Sequence, residues 1–244
     1  MTMARRLRQA RKLLALLRHP AFRRGLARGV AAGIENLELL RPLTIGSVID
    51  VGANRGQFAL LARTLFPQAP IHAFEPLREA ADRFERLFAG DTLTRLTRCA
   101  IAAAAGSATM FVSQRPDNSS LLPISAAQVR FAPGTQHARD EVVTVERLDD
   151  MVVPADLVAP VLLKLDVQGG ELAVLRGAEA TLGRCDMVLA EVSFEELYAG
   201  QPLAGEIVAV LQQHGFQVIG AGHAGRDASG RCLQIDLLFG RNRR

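Results

Sequence analysis

From Ser47 onward the chain alternates short apolar runs with amphipathic ones, and this alternation restricts it to a mostly parallel sheet with helices on both faces. Ser47–Val51 has the length and composition of a buried strand, residues 56–66 form a helix stopped by Pro67, and Ile71–Phe74 is a second strand. An amphipathic helix over 77–88 ends at Gly90; 96–101 is a third strand, followed by a turn at Gly106 and a strand over 108–112. Residues 113–140 break the rhythm with Pro116, Asp117, Asn118, Ser119, Ser120, Pro123, Pro133 and Gly134. A stretch that long without a period is expected to be a functional lid or a disordered excursion. Regular alternation resumes with strands over 141–145 and Val161–Leu165, a helix over 171–182 and a strand over 187–191. The chain then shows a helix over 205–214 capped by Gly215, a strand over 216–219, a Gly-rich hairpin and a last strand over 232–239.

At 244 residues, 49% hydrophobic and 22% charged, the sequence is long enough for one buried core and too apolar to stay unfolded. Charge is unevenly placed. Residues 1–34 hold nine basic side chains and no acid, so the rest carries 20 basic and 25 acidic groups, a net of −5. With one Tyr and no Trp, such a body lacks the cationic track and stacking surface that nucleic acid requires. The basic segment patterns as an amphipathic helix over 5–17, broken before Pro20, with a second helical stretch over 23–40 leading into the core. Residues 1–40 are therefore expected to pack on or flank a domain spanning 41–244; peripheral contact with the inner face of a membrane is the rarer use of this pattern. The apolar run over 13–17 is five residues long and stopped by Arg18, which predicts neither a membrane span nor a signal peptide. Cys99, Cys185 and Cys232 are odd in number and lack CxxC spacing, fitting a reducing cytoplasm with each thiol as a small core side chain.

The run from Val48 to Phe58 reads strand, glycine turn, helix, in the pattern Asp-x-Gly-x-Asn-x-Gly. Gly52 permits close backbone approach to a ligand, Asn54 tolerates a left-handed conformation, and Gly56 admits close strand-to-helix contact. A phosphate-binding loop would need a Gly-Lys-Ser/Thr ending, and a dinucleotide loop would need glycines where Asn54 and Gln57 stand. Asp50 at the start of the turn suits a ligand with an ammonium and no phosphate. Nineteen residues after Gly56, Glu75 and Pro76 follow the second strand. A lone acid there is ordinarily a solvated charge, but behind this glycine turn it is placed to accept hydrogen bonds from both ribose hydroxyls. Together the two features describe an adenosine ligand with an amino-acid tail, S-adenosylmethionine. Gln57, Phe58, Pro76 and Ala100, the last in the third strand, complete the candidate cofactor positions.

These blocks, with Leu163-Lys164-Leu165-Asp166-Val167-Gln168-Gly169-Gly170-Glu171 and Glu191-Val192-Ser193-Phe194 followed by Leu197-Tyr198, resemble the FkbM-type methyltransferase family over residues 36–240. The resemblance implies a Rossmann-like class I methyltransferase fold, with a seven-stranded sheet and an antiparallel last strand. It also implies S-adenosylmethionine as cofactor, with Asp50, Gly52, Asn54, Gly56 and Glu75 as binding positions. Many members act on hydroxyls of sugars, lipids or polyketide products; no single acceptor carries over.

The strand Val161–Leu165 is buried in character yet contains Lys164 and runs into Asp166. Of the 29 basic residues 27 are Arg, and Lys12 and Lys164 are the two lysines. Lys164 and Asp166 point to one face of the strand, as a structural ion pair or as part of the chemistry. Asp166, at the strand tip beside the switch point, is the first choice for orienting a nucleophilic hydroxyl and taking its proton, and it also counts among the cofactor positions. Gln168, Glu171 and Glu191 are expected around it. His223, in the hairpin, and His137, in the irregular stretch, are alternative bases; His72 reads as a core residue, His214 as a helix-end cation and His19 as part of the basic segment. Asn118, Ser119 and Ser120 are candidates to line the cofactor or acceptor. Asp166 and Glu191 lack a patterned third oxygen ligand, so no metal is assigned. The absence of an Asn/Asp-Pro-Pro-Tyr stretch favours oxygen over nitrogen as methyl acceptor. Two rivals to the enzyme reading are a non-catalytic cofactor-binding scaffold that engages a membrane or partner and, disfavoured by the missing glycines, a nicotinamide oxidoreductase.

Overall fold

The structure, a computed structural model, describes Leu14 and residues 16–241. A seven-stranded sheet runs in the order β3 (Thr94–Thr97), β2 (Ile71–Phe74), β1 (Ser47–Val51), β7 (Val161–Leu165), β8 (Met187–Ser193), β10 (Cys232–Arg241), β9 (Phe216–Arg226). β10 is antiparallel to both neighbours; the pairings among β3, β2, β1, β7 and β8 are all parallel. This is the arrangement of the class I methyltransferase fold. The order reverses between β1 and β7, where open α/β sheets place their ligands.

All five positions of β1 and of β7 are buried, because helices cover both faces. Successive side chains alternate between two cores. Ile49, Val51, Leu163 and Leu165 pack with Leu175, Ile207 and Phe239 on one face, whereas Val48 and Leu162 pack with Phe58, Leu61 and Phe84 on the other. Asp50 and Lys164, paired in the β1–β7 register, belong to this second face.

Several sequence expectations are corrected. The strand expected over 96–101 is divided between two sheets: β3 ends at Thr97, and β4 (Ala100–Ile101) pairs instead with β6 (His137–Glu146), which also pairs with β5 (Gly106–Ser113). The chain turns at Arg98, whose guanidinium is held outward by Asp82 and Glu85 at 2.6 and 2.7 Å. Residues 113–140 are neither disordered nor irregular throughout: they hold a 3-10 turn at Pro116–Asn118, a helix at Ala126–Phe131 capped by the Ser125 side chain, and the start of β6. The helix over 171–182 is two short helices, Glu171–Arg176 and Glu179–Leu182, because the chain swings at Gly177, whose carbonyl accepts the Asp149 N–H.

At the N-terminal end, the stretch over 23–40 is broken. The helix Pro20–Ala27 stops at a left-handed Gly29, and an extended link leads to a 3-10 turn at Ile34–Asn36 and a short helix at Leu37–Leu40. Phe22 of this segment is buried against the second core, so it packs on the domain. Most of the helix expected over 5–17 lies outside the described residues. Of the glycines read as a hairpin after residue 219, Gly220, Gly222 and Gly225 lie within β9 and Gly230 in the turn that follows it; Asn36 of the 3-10 turn packs over Gly222, where a Cβ would fall onto its side-chain oxygen. Among the described residues no helix is long and apolar enough to cross a membrane.

Candidate active site

A cavity of about 480 Å³ opens where the C-terminal ends of β1, β2, β7 and β8 meet, within the size range of small-molecule sites. The glycine turn forms part of its wall. Gly52 has φ +79, and a Cβ there would fall onto the Asp166 carbonyl oxygen. The room that glycine provides is therefore for the adjacent strand end as much as for a ligand. Asn54 is left-handed, with φ 49, as its residue type allows. Gly56, with φ +91, lies off the wall and packs under Phe84 and Phe88 on the far helix.

Glu75 sits at the tip of β2 and is 5% exposed. Its Oε2 accepts the Asn54 N–H at 2.9 Å and its Oε1 accepts the Leu77 N–H at 2.8 Å. Burial raises its carboxyl to about 7, with the two backbone donors pulling the other way. A carboxylate offers about four acceptor sites, so two donors leave it capacity for a ligand's hydroxyls. Gln57, Phe58, Pro76 and Ala100 also line the cavity, as do Phe74, Ile101 and Met110.

Asp50 is placed differently from the expectation that it meets a ligand ammonium. It is completely buried behind the wall, and the ammonium it meets belongs to Lys164, whose Nζ lies 3.1 Å from Asp50 Oδ1. The same Nζ donates to the Gly52 carbonyl at 2.9 Å, lies 3.6 Å from Asp166 Oδ2 and sits 5.6 Å from the Phe58 ring centroid. Burial alone would lower the Lys164 pKa, but the Asp50 and Asp166 carboxylates outweigh it and hold the ammonium charged. Lys164 thus ties the glycine turn, β1 and the tip of β7 together.

Asp166 lines the cavity with its side chain 42% exposed. Gln168, left-handed with φ 54, donates from Nε2 to Asp166 Oδ1 at 2.7 Å and to Glu191 Oε2 at 3.0 Å. Its Oε1 faces the Tyr198 hydroxyl. Glu191 also accepts from Gln234 Nε2 at 2.5 Å; burial, then the neighbouring Asp166 and Asp236, push its carboxyl well above the ordinary range. Glu171 lies off the wall and serves the loop, accepting the Val167 and Gly169 N–H groups at 3.0 and 3.3 Å. Burial raises its carboxyl to about 7.

The remaining expectations divide. His223 lies on the cavity wall, whereas His137 pairs with Asp140 at 2.7 Å on the exposed surface. Burial lowers the pKa of His72 within β2. Asn118 and Ser119 reach the wall, while Ser120 holds the loop by donating to the Gln168 carbonyl at 2.7 Å. Cys99 also borders the cavity, and burial raises its thiol to about 11, so it stays protonated. Among the described residues no group of three or more His, Cys, Asp or Glu side chains converges to hold a metal ion.

Sequence reasoning missed Asp236, Gln234 and Asn36 on the wall. Asp236, on β10 opposite Glu191, accepts from Asn36 Nδ2 at 2.8 Å, and burial raises its carboxyl to about 6. The available signal was an acid inside a mostly apolar last strand.

The model of the methyltransferase FkbM domain matches residues 50–218, from the buried Asp50 into β9. The chain belongs to the FkbM methyltransferase family. The FkbM domain accordingly contains the glycine turn, Glu75, the Lys164–Asp166 strand and Tyr198. The chain is 31% identical to the 31-O-demethyl-FK506 methyltransferase FkbM of Streptomyces tacrolimicus, over 74% of this chain and 75% of that one. It is 26% identical to the methyltransferase sdnD of Sordaria araneosa, over 70% and 73%. It is 31% identical to the 2-O-methyltransferase NoeI of Sinorhizobium fredii (strain NBRC 101917 / NGR234), over 63% and 66%.

Proposed function

We propose that this FkbM domain transfers a methyl group from S-adenosylmethionine to a hydroxyl of a carbohydrate, lipid or specialised metabolite. The observation that carries this reading is the buried Glu75, presented at the tip of β2 by the Asn54 and Leu77 N–H groups and open to the cavity. The cofactor would lie with its ribose hydroxyls on Glu75 and its base against the apolar wall of Phe74, Ile101 and Met110. When bound, its sulfonium supplies an activated methyl group.

The chain's own part is orientation and proton removal. Asp166 is fixed through Oδ1 by Gln168, and its Oδ2 faces Lys164 at the edge of the cavity, where it would accept the hydroxyl proton. Lys164 holds the strand tip that presents Asp166. His223 is the alternative base. Two relatives whose names specify oxygen as the methylated atom support the choice of a hydroxyl acceptor.

Titration calorimetry tests the reading. S-adenosylmethionine and S-adenosylhomocysteine are expected to bind in the micromolar range, with NADH silent. Absence of both adenosyl ligands from the folded protein would instead favour a scaffold role, with membrane or partner contact through residues 1–30 examined by liposome binding of intact and truncated chains. Asp166→Asn is expected to retain cofactor affinity and lose turnover.

A further inference from the structure

The two ends of the cavity differ in chemistry. At the β2 and β4 end the wall is apolar apart from Glu75, with Phe74, Ile101 and Met110. At the β8, β10 and β9 end it is built from Glu191, Gln234, Asp236, Asn36 and His223. These polar groups are pre-set. Gln234 donates to Glu191, Asn36 donates to Asp236, and the His223 backbone N–H donates to Asn36 Oδ1 at 3.4 Å. The 3-10 turn at Ile34–Asn36 and β10 hold them in place.

The charges on the wall are equally one-sided. Among the described residues the acids that line the cavity are Glu35, Glu75, Asp117, Asp166, Glu191 and Asp236. The chain carries 27 arginines, yet no described one lines the wall. Arg115 pairs with Asp117 from outside it. Lys164 is the one lysine there, and its ammonium is already engaged by Asp50, Asp166 and the Gly52 carbonyl. A phosphate or carboxylate entering this end would meet the Asp236 and Asp166 carboxylates and no arginine, whereas hydroxyls and an ammonium would meet acceptors already oriented for them.

We infer that the Asn36–Glu191–Gln234–Asp236 end is the acceptor subsite, and that it selects a sugar unit bearing hydroxyls or an ammonium while excluding one with an anionic group beside the methylated hydroxyl. This deepens the methyl-transfer reading above and rests on it. Asp236 is the specificity residue: it faces Glu191 across the β8–β10 pairing, and its carboxylate is steered by Asn36.

The test uses the full chain saturated with S-adenosylhomocysteine and saturation-transfer NMR with methyl glucoside, glucosamine, glucose 6-phosphate and cyclohexanol. Glucosamine is expected to bind about fivefold more tightly than methyl glucoside, with glucose 6-phosphate unbound. Asp236→Asn, which keeps the shape and an oxygen for Asn36, should erase the glucosamine advantage while leaving S-adenosylhomocysteine affinity unchanged. Binding of glucose 6-phosphate, binding of cyclohexanol alone, silence of both non-anionic sugars, or a glucosamine preference that survives Asp236→Asn would each overturn the inference. Failure of S-adenosylhomocysteine to bind at all would instead remove the underlying methyl-transfer reading, and calorimetry registers that separately.

Discussion

Gln168 Oε1 lies 2.6 Å from the Tyr198 hydroxyl, and that contact fixes which end of the Gln168 amide faces the acids. With the oxygen taken by Tyr198, Nε2 must point at Asp166 and Glu191. The Tyr198 hydroxyl also lies 3.2 Å from the Asn118 carbonyl, linking the segment over the cavity to the same amide. Tyr198→Phe removes the partner of a half-buried amide oxygen, so about 1–2 kcal/mol of stability should be lost. An unchanged urea midpoint would show that this contact does not hold the amide.

Lys164 and Asp50 should behave as one unit. Lys164→Met leaves a completely buried carboxylate without its cation, a change expected to cost about 3–5 kcal/mol. Adding Asp50→Asn removes the stranded charge and should recover part of that loss. A double-mutant cycle by urea unfolding checks this, and strictly additive losses would mean that the two groups act independently.

Glu75→Ala should weaken S-adenosylhomocysteine binding at least about tenfold, since charge-assisted hydrogen bonds contribute roughly 1.5–3 kcal/mol. In the native chain the same affinity should fall as pH drops below about 7, where Glu75 takes up a proton. Calorimetry from pH 6 to pH 8 reads both, and a flat profile would place the ribose elsewhere.

Ligand-free stability should respond to pH with the opposite sense from that of an acid-labile protein. Burial raises Glu75 and Glu171 from an ordinary 4.5 to about 7 and Asp236 from 3.8 to about 6. Between the ordinary and raised values the folded chain binds more protons than the unfolded one, so stability falls as pH rises through that window. His72, lowered by burial, acts in the other direction but as a single group. The melting temperature of the ligand-free chain is therefore expected to be higher at pH 5.5 than at pH 7.5, and the reverse order would mean these carboxyls are ionised in the fold.

Gly29 and Gly52 share a left-handed backbone, with φ +75 and +79, but not their surroundings. Gly29→Ala meets nothing within 4 Å and should cost only the backbone term, about 1–2 kcal/mol. Gly52→Ala drives a methyl group into the Asp166 carbonyl and should cost well beyond that, together with cofactor binding. Equal melting temperatures for the two variants would show that β1 and β7 separate easily.

What the sequence by itself determined are the features set by near neighbours. The five-residue apolar strands, the proline stop at Pro67, the left-handed turn residue Asn54 and the strand tips carrying Glu75 and Asp166 all follow from local periodicity and residue conformation. They sufficed to indicate the sheet and several residues of the cavity wall, Asn54, Glu75 and Asp166 among them. Tertiary structure decided the rest. It turned Asp50 toward Lys164, because two strands far apart in the chain align these residues in register and a buried ammonium requires a counter-charge. It split residues 96–101 between two sheets and gave residues 113–140 their order through contacts such as Ile124 with Tyr198. It also joined Asn36 to Asp236, 200 positions apart. No local pattern can encode such a pair, because its energy arises only once the helices and strands between have brought the two side chains together.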